Sequence, residues 1–277
     1  WVADYRDPFH YMNGSAGKRL DQQHRKIDSQ TIRQASKLTF ATQQVRDLYC
    51  KEYGELISQK SMVIENGFDE SNFKSINTLT DCNTPFSEKK FSLYYSGVLY
   101  PNGRDPKPVF EALSNLKHQA VISSKNFELI FQGAGKGTEF VNILDELNIK
   151  DLVRFIEPVS FIKALNNMLG ANALLLIQDR RFNNQIPGKI YEYLRTQRPI
   201  LVKADPMGAT HDLAAKFSGV CLAKNRSSIQ KAIVTLITER NAALKNSLPS
   251  LIYSRELHLY SREKKAQQLN DLLSELA

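Results

Sequence analysis

Short apolar runs that alternate with stretches of helical spacing constrain this chain more than any other feature of its sequence. From residue 91 onward the pattern is regular. Phe91–Ser96, Phe127–Gln132, Val153–Ile156, Ala173–Ile177, Ile200–Lys203 and residues 220–222 read as strands. Helical patterns lie near 106–117, 138–147, 160–169, 188–196, 209–217 and 227–241. A run such as Ala-Leu-Leu-Leu-Ile has no polar face, so its strand must be covered on both sides. A helix between successive strands makes them parallel, because a parallel pair needs a long crossover. Six strands with five crossover helices predict a doubly wound α/β domain.

The same alternation opens the chain. Residues 1–5, 37–41 and 62–65 read as strands. Leu20, His24 and Ile27 mark one face of a helix over 17–34, and Thr42 is placed to cap a helix through Val45, Leu48 and Tyr49. Residues 69–90 are polar, contain Pro85 and carry little periodicity, which reads as a linker. The expected organisation is a first domain over 1–70, a linker over 71–90, a second domain over 91–250 and a closing segment over 251–277. That last segment holds Leu269, Leu272, Leu273 and Leu276 at helical spacing.

Composition excludes several classes. With 42% hydrophobic and 24% charged residues the chain can bury a core and is not disordered. No 18 apolar residues run together, so no spanning helix is expected. Cys50, Cys82 and Cys221 are far apart and odd in number, which gives neither a disulfide framework nor zinc spacing and points to a reducing cytosol. The chain starts on a strand without an initiator Met or a signal peptide and reads as a fragment lacking an upstream part. The net charge is +8, and all of the excess lies in residues 88–250, with 22 Lys/Arg against 14 Asp/Glu. That block has no basic run longer than two and no aromatic–basic interleaving, so it fits a phosphate-bearing small ligand and nucleic acid is not the expected partner.

Ligands of open parallel sheets bind beyond the strand C-termini, so the residues after each strand matter most. After Phe91–Ser96 come Gly97 and Gly103, then Arg104 and Lys107 at the entrance to the next helix. This suits an anionic phosphate, or is an ordinary surface loop. After Phe127–Gln132 the spacing of Gly133, Gly135 and Gly137 matches neither the dinucleotide nor the Walker pattern and favours a tight turn. After Ala173–Ile177 the segment Asn183 to Leu201 is the most distinctive. Pro187 suits a first helical turn, Gly188 lets a ligand reach the backbone, and the free N–H groups there suit a diphosphate. Glu192 lies about one turn in, where a carboxylate can hold a ribose diol; taken alone it is a solvated helix carboxylate.

Together these segments resemble the family 4 glycosyltransferases, whose GT-B architecture has two Rossmann-like domains facing each other across a cleft. "GVLYPNGRDPKPVFEA" is similar to the strand–loop–helix that begins the family's second domain, with Arg104 eight positions before Ala112. "FELIFQGAG" is similar to the family's apolar strand and glycine turn, and "VRFIEPVSF" to the loop facing the nucleobase. "GKIYEYLRTQRPIL" is similar to the helix in which a Glu precedes a Pro by seven, here Glu192 and Pro199. "WVADYRDPF" and "VIENGFD" resemble the end of the first domain, which is then incomplete, and the final helix resembles the segment that braces it.

The resemblance implies a transfer of sugar from a nucleotide-diphosphate-sugar to a glycan or lipid-linked acceptor, with retention. Arg104 and Lys189 would act on the leaving diphosphate. Gly97, Lys107, Gly133, Pro158, Val159, Asn184, Gly188 and Glu192 would bind the donor. Asp4, Arg6 and Asp7 would line the acceptor side. No metal or other cofactor is implied, and the expected location is cytoplasmic, with weak peripheral contact at the inner face of a membrane. Two departures stand out. Asn184 replaces the first Glu of the family's E-x₇-E pattern, and Val98 stands where an Arg often does. The alternatives are a nucleotide-sugar epimerase of the same fold, for which only His10 and His211 are placed to serve, and a degenerate non-catalytic nucleotide-binding protein.

Overall fold

The structure is a computed structural model that describes residues 1–9, 18–76, 83–100, 103–245 and 256–276. β1 (Val2–Tyr5), β2 (Lys37–Phe40) and β3 (Ser61–Val63) form a parallel sheet in that order, with α1 (Lys18–Gln34), α2 (Gln43–Tyr53) and the single turn α3 (Glu55–Ser58) between them. α4 (Glu70–Ile76) leads to a second parallel sheet made of β4 (Phe91–Ser96), β5 (Phe127–Gln132), β6 (Val153–Ile156), β7 (Ala173–Ile177), β8 (Ile200–Lys203) and β9 (Val220–Ala223). Its connections are α5 (Lys107–His118), α6 (Val141–Glu146), α7 (Phe161–Gly170), α8 (Lys189–Thr196) and α9 (Ala209–Ala214), followed by α10 (Arg226–Lys245) and α11 (Arg262–Ser274).

The spatial order of the larger sheet is β6-β5-β4-β7-β8-β9. Counted from β4 this is the Rossmann order 3-2-1-4-5-6, which reverses direction between β4 and β7. Alternate residues of each strand face opposite sides, and both sides are covered. Leu93, Tyr95, Phe131 and Leu175 pack with Phe110 of α5 and Ile233 of α10. Tyr94, Ile130, Leu174 and Leu176 pack on the other side with Leu165 of α7 and Leu194 of α8. The continuous apolar runs of β5 and β7 follow from this double cover; every residue of both is buried.

Three expectations change. The buried side of α1 is not that of Leu20 and Ile27, which are exposed, but that of Asp28 and Ile32. The helix turns a carboxylate inward because two hydroxyls wait there: Tyr5 donates to Asp28 Oδ1 at 2.5 Å and Tyr49 to Oδ2 at 2.9 Å. The polar stretch taken as a linker begins instead with α4, whose Phe73 and Ile76 are buried in the larger core. Three residues apart, they lie on one helical face too short to register as periodic. Further along, Ser87 N–H donates to Glu128, Arg154 to the Pro85 carbonyl and Lys163 to the Asn83 carbonyl, so this part is pinned to the larger sheet. Residues 77–82, with Cys82, and residue His10 lie outside the described residues. Of the four leucines of the closing segment only Leu272, in α11, reaches the interior; Leu276 lies past the end of that helix.

α11 runs beside the smaller sheet. Lys265 pairs with Glu65 at 3.1 Å and Lys37 with Glu275 at 3.3 Å. Just before it the two chain crossings meet: Phe68 N–H donates to the Tyr260 carbonyl, and Arg262 N–H returns to the Phe68 carbonyl. Gly67 permits this approach, since a Cβ there would stand 2.4 Å from the Tyr260 oxygen.

Candidate functional site

Parallel strands bring all their C-terminal ends to one edge of a sheet, and here the edges of the two sheets face each other. Between them is a cavity of about 380 Å³. The smaller sheet lines it with Arg6 and Asp7 after β1, Ala41 after β2 and Asn66 after β3; the larger lines it with Tyr100 and Arg104 after β4, and with Gln178, Phe182 and residues 185–188 after β7. Polar contacts join the two banks. Thr42 Oγ1 donates to the Asn184 carbonyl at 2.6 Å, Gln185 Nε2 to Asp7 Oδ1 at 2.7 Å, and Gln44 Nε2 to Asp212 Oδ2 at 2.6 Å.

Two cations converge at the switch point. Lys189, the first residue of α8, donates to the Ser96 carbonyl at 2.6 Å and lies 4.0 Å above the Tyr95 ring. It thereby ties the C-terminal end of β4 to the N-terminal end of α8. Gly97 keeps that path open, because a Cβ there would come within 3.3 Å of Lys189 Nζ. Arg104 donates to the Val98 carbonyl at 2.9 Å and sits 4.5 Å above the Tyr100 ring. Burial and the Arg104 charge push the Lys189 ammonium down to about 7, while Glu192 opposes that shift. Burial likewise pushes the Glu192 carboxyl up to about 7 against the helix backbone, Arg262 and Lys189. A poorly solvated cation pair over a near-neutral carboxylate gains from an incoming anion, which supplies the missing counter-charge.

The other sequence-chosen residues divide. Gly188 and Arg6 line the cavity with Arg104 and Asp7. Asn184 meets the smaller unit through its main-chain carbonyl. Asp4 is used within the smaller sheet, accepting from Arg6 Nε just after β1 and from Thr39 Oγ1 of β2, each at 2.6 Å. Lys107 is exposed and lies off the cavity wall. Gly133 and Pro158 sit together past β5 and β6, where a Cβ on Gly133 would touch Pro158 at 3.5 Å, and Val159 is exposed beside them. Gly137 serves close packing: a Cβ on it would strike the Phe155 ring at 2.3 Å. The sequence reading missed Tyr100, Gln178, Phe182, Gln185 and Asn66. All five follow a strand C-terminus, the one signal that could have found them.

At the level of sequence no protein-family model matches the chain, and neither does any curated protein. Solved structures do match. Sucrose-phosphate synthase from Thermosynechococcus elongatus aligns at a TM-score of 0.62 and 14% identity, over 100% of this chain and 67% of that one. Anabaena HepE, solved in complex with UDP-glucose, aligns at 0.67 and 15% identity, over 99% and 72%. A UDP-forming α,α-trehalose-phosphate synthase from Burkholderia xenovorans aligns at 0.61 and 12%, over 92% and 64%. The fold is that of the GT-B glycosyltransferases. The two Rossmann-like units and the cleft between them are thus the architecture that the sequence resemblance led us to expect.

Proposed function

We propose that this chain binds a nucleotide-diphosphate-sugar in the cleft and transfers its sugar to a glycan or lipid-linked acceptor with retention of configuration. The observation that carries the reading is the convergence at the β4/β7 switch point of Arg104 and Gly188, which line the cavity, with the buried Lys189 that opens α8 behind them. In this reading 91–250 is the donor domain, 1–70 supplies the acceptor bank and α11 braces it. The diphosphate lies at Gly188, and Glu192 takes the ribose. Gly97 leaves room for phosphate; Gly133, Pro158 and Val159 face the base; Asn184 faces the sugar. As the glycosidic bond breaks, negative charge grows on the departing diphosphate. Arg104 and Lys189 are already in place to stabilise it, without reorganisation at that moment. Two cations can do this work without a metal ion, so turnover should persist in a chelator. HepE crystallised with UDP-glucose lends the donor class its support.

No helix among the described residues is long and apolar enough to cross a membrane. The basic excess of 88–250 would give weak, salt-sensitive binding to anionic vesicles. The test of function is a ligand panel. Nucleoside diphosphates should raise the melting temperature saturably and oligonucleotides should not, and donor with acceptor should give a glycoside of unchanged anomeric configuration. Conversion of the donor's sugar without an acceptor would instead mark an epimerase. Stabilisation by oligonucleotides alone would overturn the donor reading.

A further inference from the structure

Arg104 sits in a loop, and a loop cation stabilises a developing charge only if its backbone is held. From the geometry we infer that Asp179 is the positioning residue that holds it, reaching from the end of β7 to the end of β4. This rests on the donor reading above. Asp179 follows β7 by two residues and precedes the single 3₁₀ turn Arg180–Phe182. An Asp at such a place ordinarily turns its carboxylate onto the helix's own N–H groups. Asp179 makes no such bond.

Its polar groups go across the switch point instead. Asp179 N–H donates to the Gly103 carbonyl at 3.0 Å, and Asp179 Oδ2 accepts from Asp105 N–H at 3.0 Å. The two residues flanking Arg104 are therefore both bonded to one residue of the neighbouring loop. Asp179 Oδ1 pairs with Lys203, at the end of β8, which fixes the carboxylate itself. Both side chains of that pair are largely buried, with 23% and 14% exposed. Sterics set the same register: Gly103 leaves the space that the Phe182 ring fills, and a Cβ on it would stand 2.0 Å from Phe182 Cε2. Asp105, in turn, caps the start of α5 by accepting from Lys107 N–H at 2.9 Å. Three adjacent strands, β4, β7 and β8, thus converge on the backbone that carries Arg104.

The test uses the full chain with Asp179→Ala and Asp179→Asn, and two readouts. The first is amide hydrogen exchange without ligand. Peptides containing 103–105 should exchange faster in Asp179→Ala, while peptides of β5 and α10 should not change. The second is titration with UDP and with uridine. Asp179→Ala should weaken UDP by about ten- to a hundredfold, the range a misplaced group costs, and uridine by less than about twofold. Asp179→Asn keeps an acceptor for Asp105 N–H but loses the charge that holds Lys203, so it should recover part of the UDP affinity. Equal losses for UDP and uridine, or unchanged exchange over 103–105, would overturn the inference. If the wild type bound no UDP the donor reading would fall, while the exchange experiment would still judge the clamp. If Asp179→Ala did not fold, Asp179→Asn would carry the titration alone: a loss of UDP affinity without a matching loss for uridine supports the inference, and equal losses overturn it.

Discussion

The two sheets are built to the same plan and held together differently. The larger has a full apolar cluster on each face, with strands whose every residue is buried. Among the described residues the smaller has one cluster, of nine buried residues, and its centre is polar: Asp28, 1% exposed, accepts from both Tyr5 and Tyr49. Burial and the Asp28 charge raise both tyrosine hydroxyls well above their ordinary range, so they remain donors at any working pH. The difference teaches where each half's order comes from. The larger unit is stabilised by non-directional apolar burial and can carry a precise site on its loops. The smaller depends on a few directional bonds, and on α11 and the cross-cleft contacts.

The largest expected effect comes from the apolar half. Phe131 is fully buried and stacks on Phe155 at 4.9 Å and against Tyr95 at 5.3 Å. Phe131→Ala should cost about 3–5 kcal/mol in chemical denaturation. A loss below about 1 kcal/mol, far under that cavity range, would mean that the larger core is not what holds that unit. Next comes the polar half. Tyr49→Phe removes one donor from a buried carboxylate and should cost about 1–3 kcal/mol. Its signature is local: hydrogen exchange should accelerate in β1 and β2 and not in β5 or β7. Equal acceleration in both sheets would erase the distinction drawn above.

A further contrast is in pH. Glu192 lies near 7 in the folded chain against an ordinary 4.5, so folding favours its neutral form. Its contribution to stability is complete below pH 4.5 and is lost as pH rises to about 7. Lys189 lies near 7 against 10.5, so folding disfavours its charged form, and that cost is relieved as pH rises from about 7 to 10.5. Their joint contribution is therefore lowest near neutrality, which is also where an ionised Glu192 and a protonated Lys189 coexist most. UDP-glucose affinity should follow a bell centred near pH 7. Glu192→Gln should flatten the acid limb and Lys189→Met the alkaline limb. A profile that rises or falls monotonically in the wild type would contradict this. The smallest effect is expected at the Lys37–Glu275 pair, 28% and 62% exposed. Glu275→Gln should change stability by no more than about 0.5 kcal/mol, read in the same denaturation experiment. A larger loss would show that α11 does more for the smaller sheet than a surface ion pair can.

Much of this was legible in the sequence, and the reasons are physical. Strands such as Phe127–Gln132 and Ala173–Ile177 announce themselves because burial on both faces leaves no polar position. Arg104 and Gly188, which line the cavity, stand out in the sequence because a strand C-terminus followed by a glycine and a cation narrows the choice. The face of α1 was misread because an inward carboxylate looks like a surface residue until Tyr5 and Tyr49, contributed from distant segments, are seen to meet it. α4 was missed because two apolar residues make no period. Asp179 left no mark at all: its role lies in bonds to Gly103 and Asp105, more than seventy positions away in the chain.

The central claim is that Arg104, at the switch point, grips the diphosphate of a nucleotide donor. Titration of UDP and uridine against the wild type and Arg104→Ala, at low and high salt, tests it most directly. The wild type should bind UDP more weakly as salt rises, because a cation–phosphate contact is screened. Arg104→Ala should lose most of its UDP affinity and much of that salt dependence, while its affinity for uridine stays near that of the wild type. Equal losses for both ligands, or UDP binding unaffected by the substitution, would contradict the account.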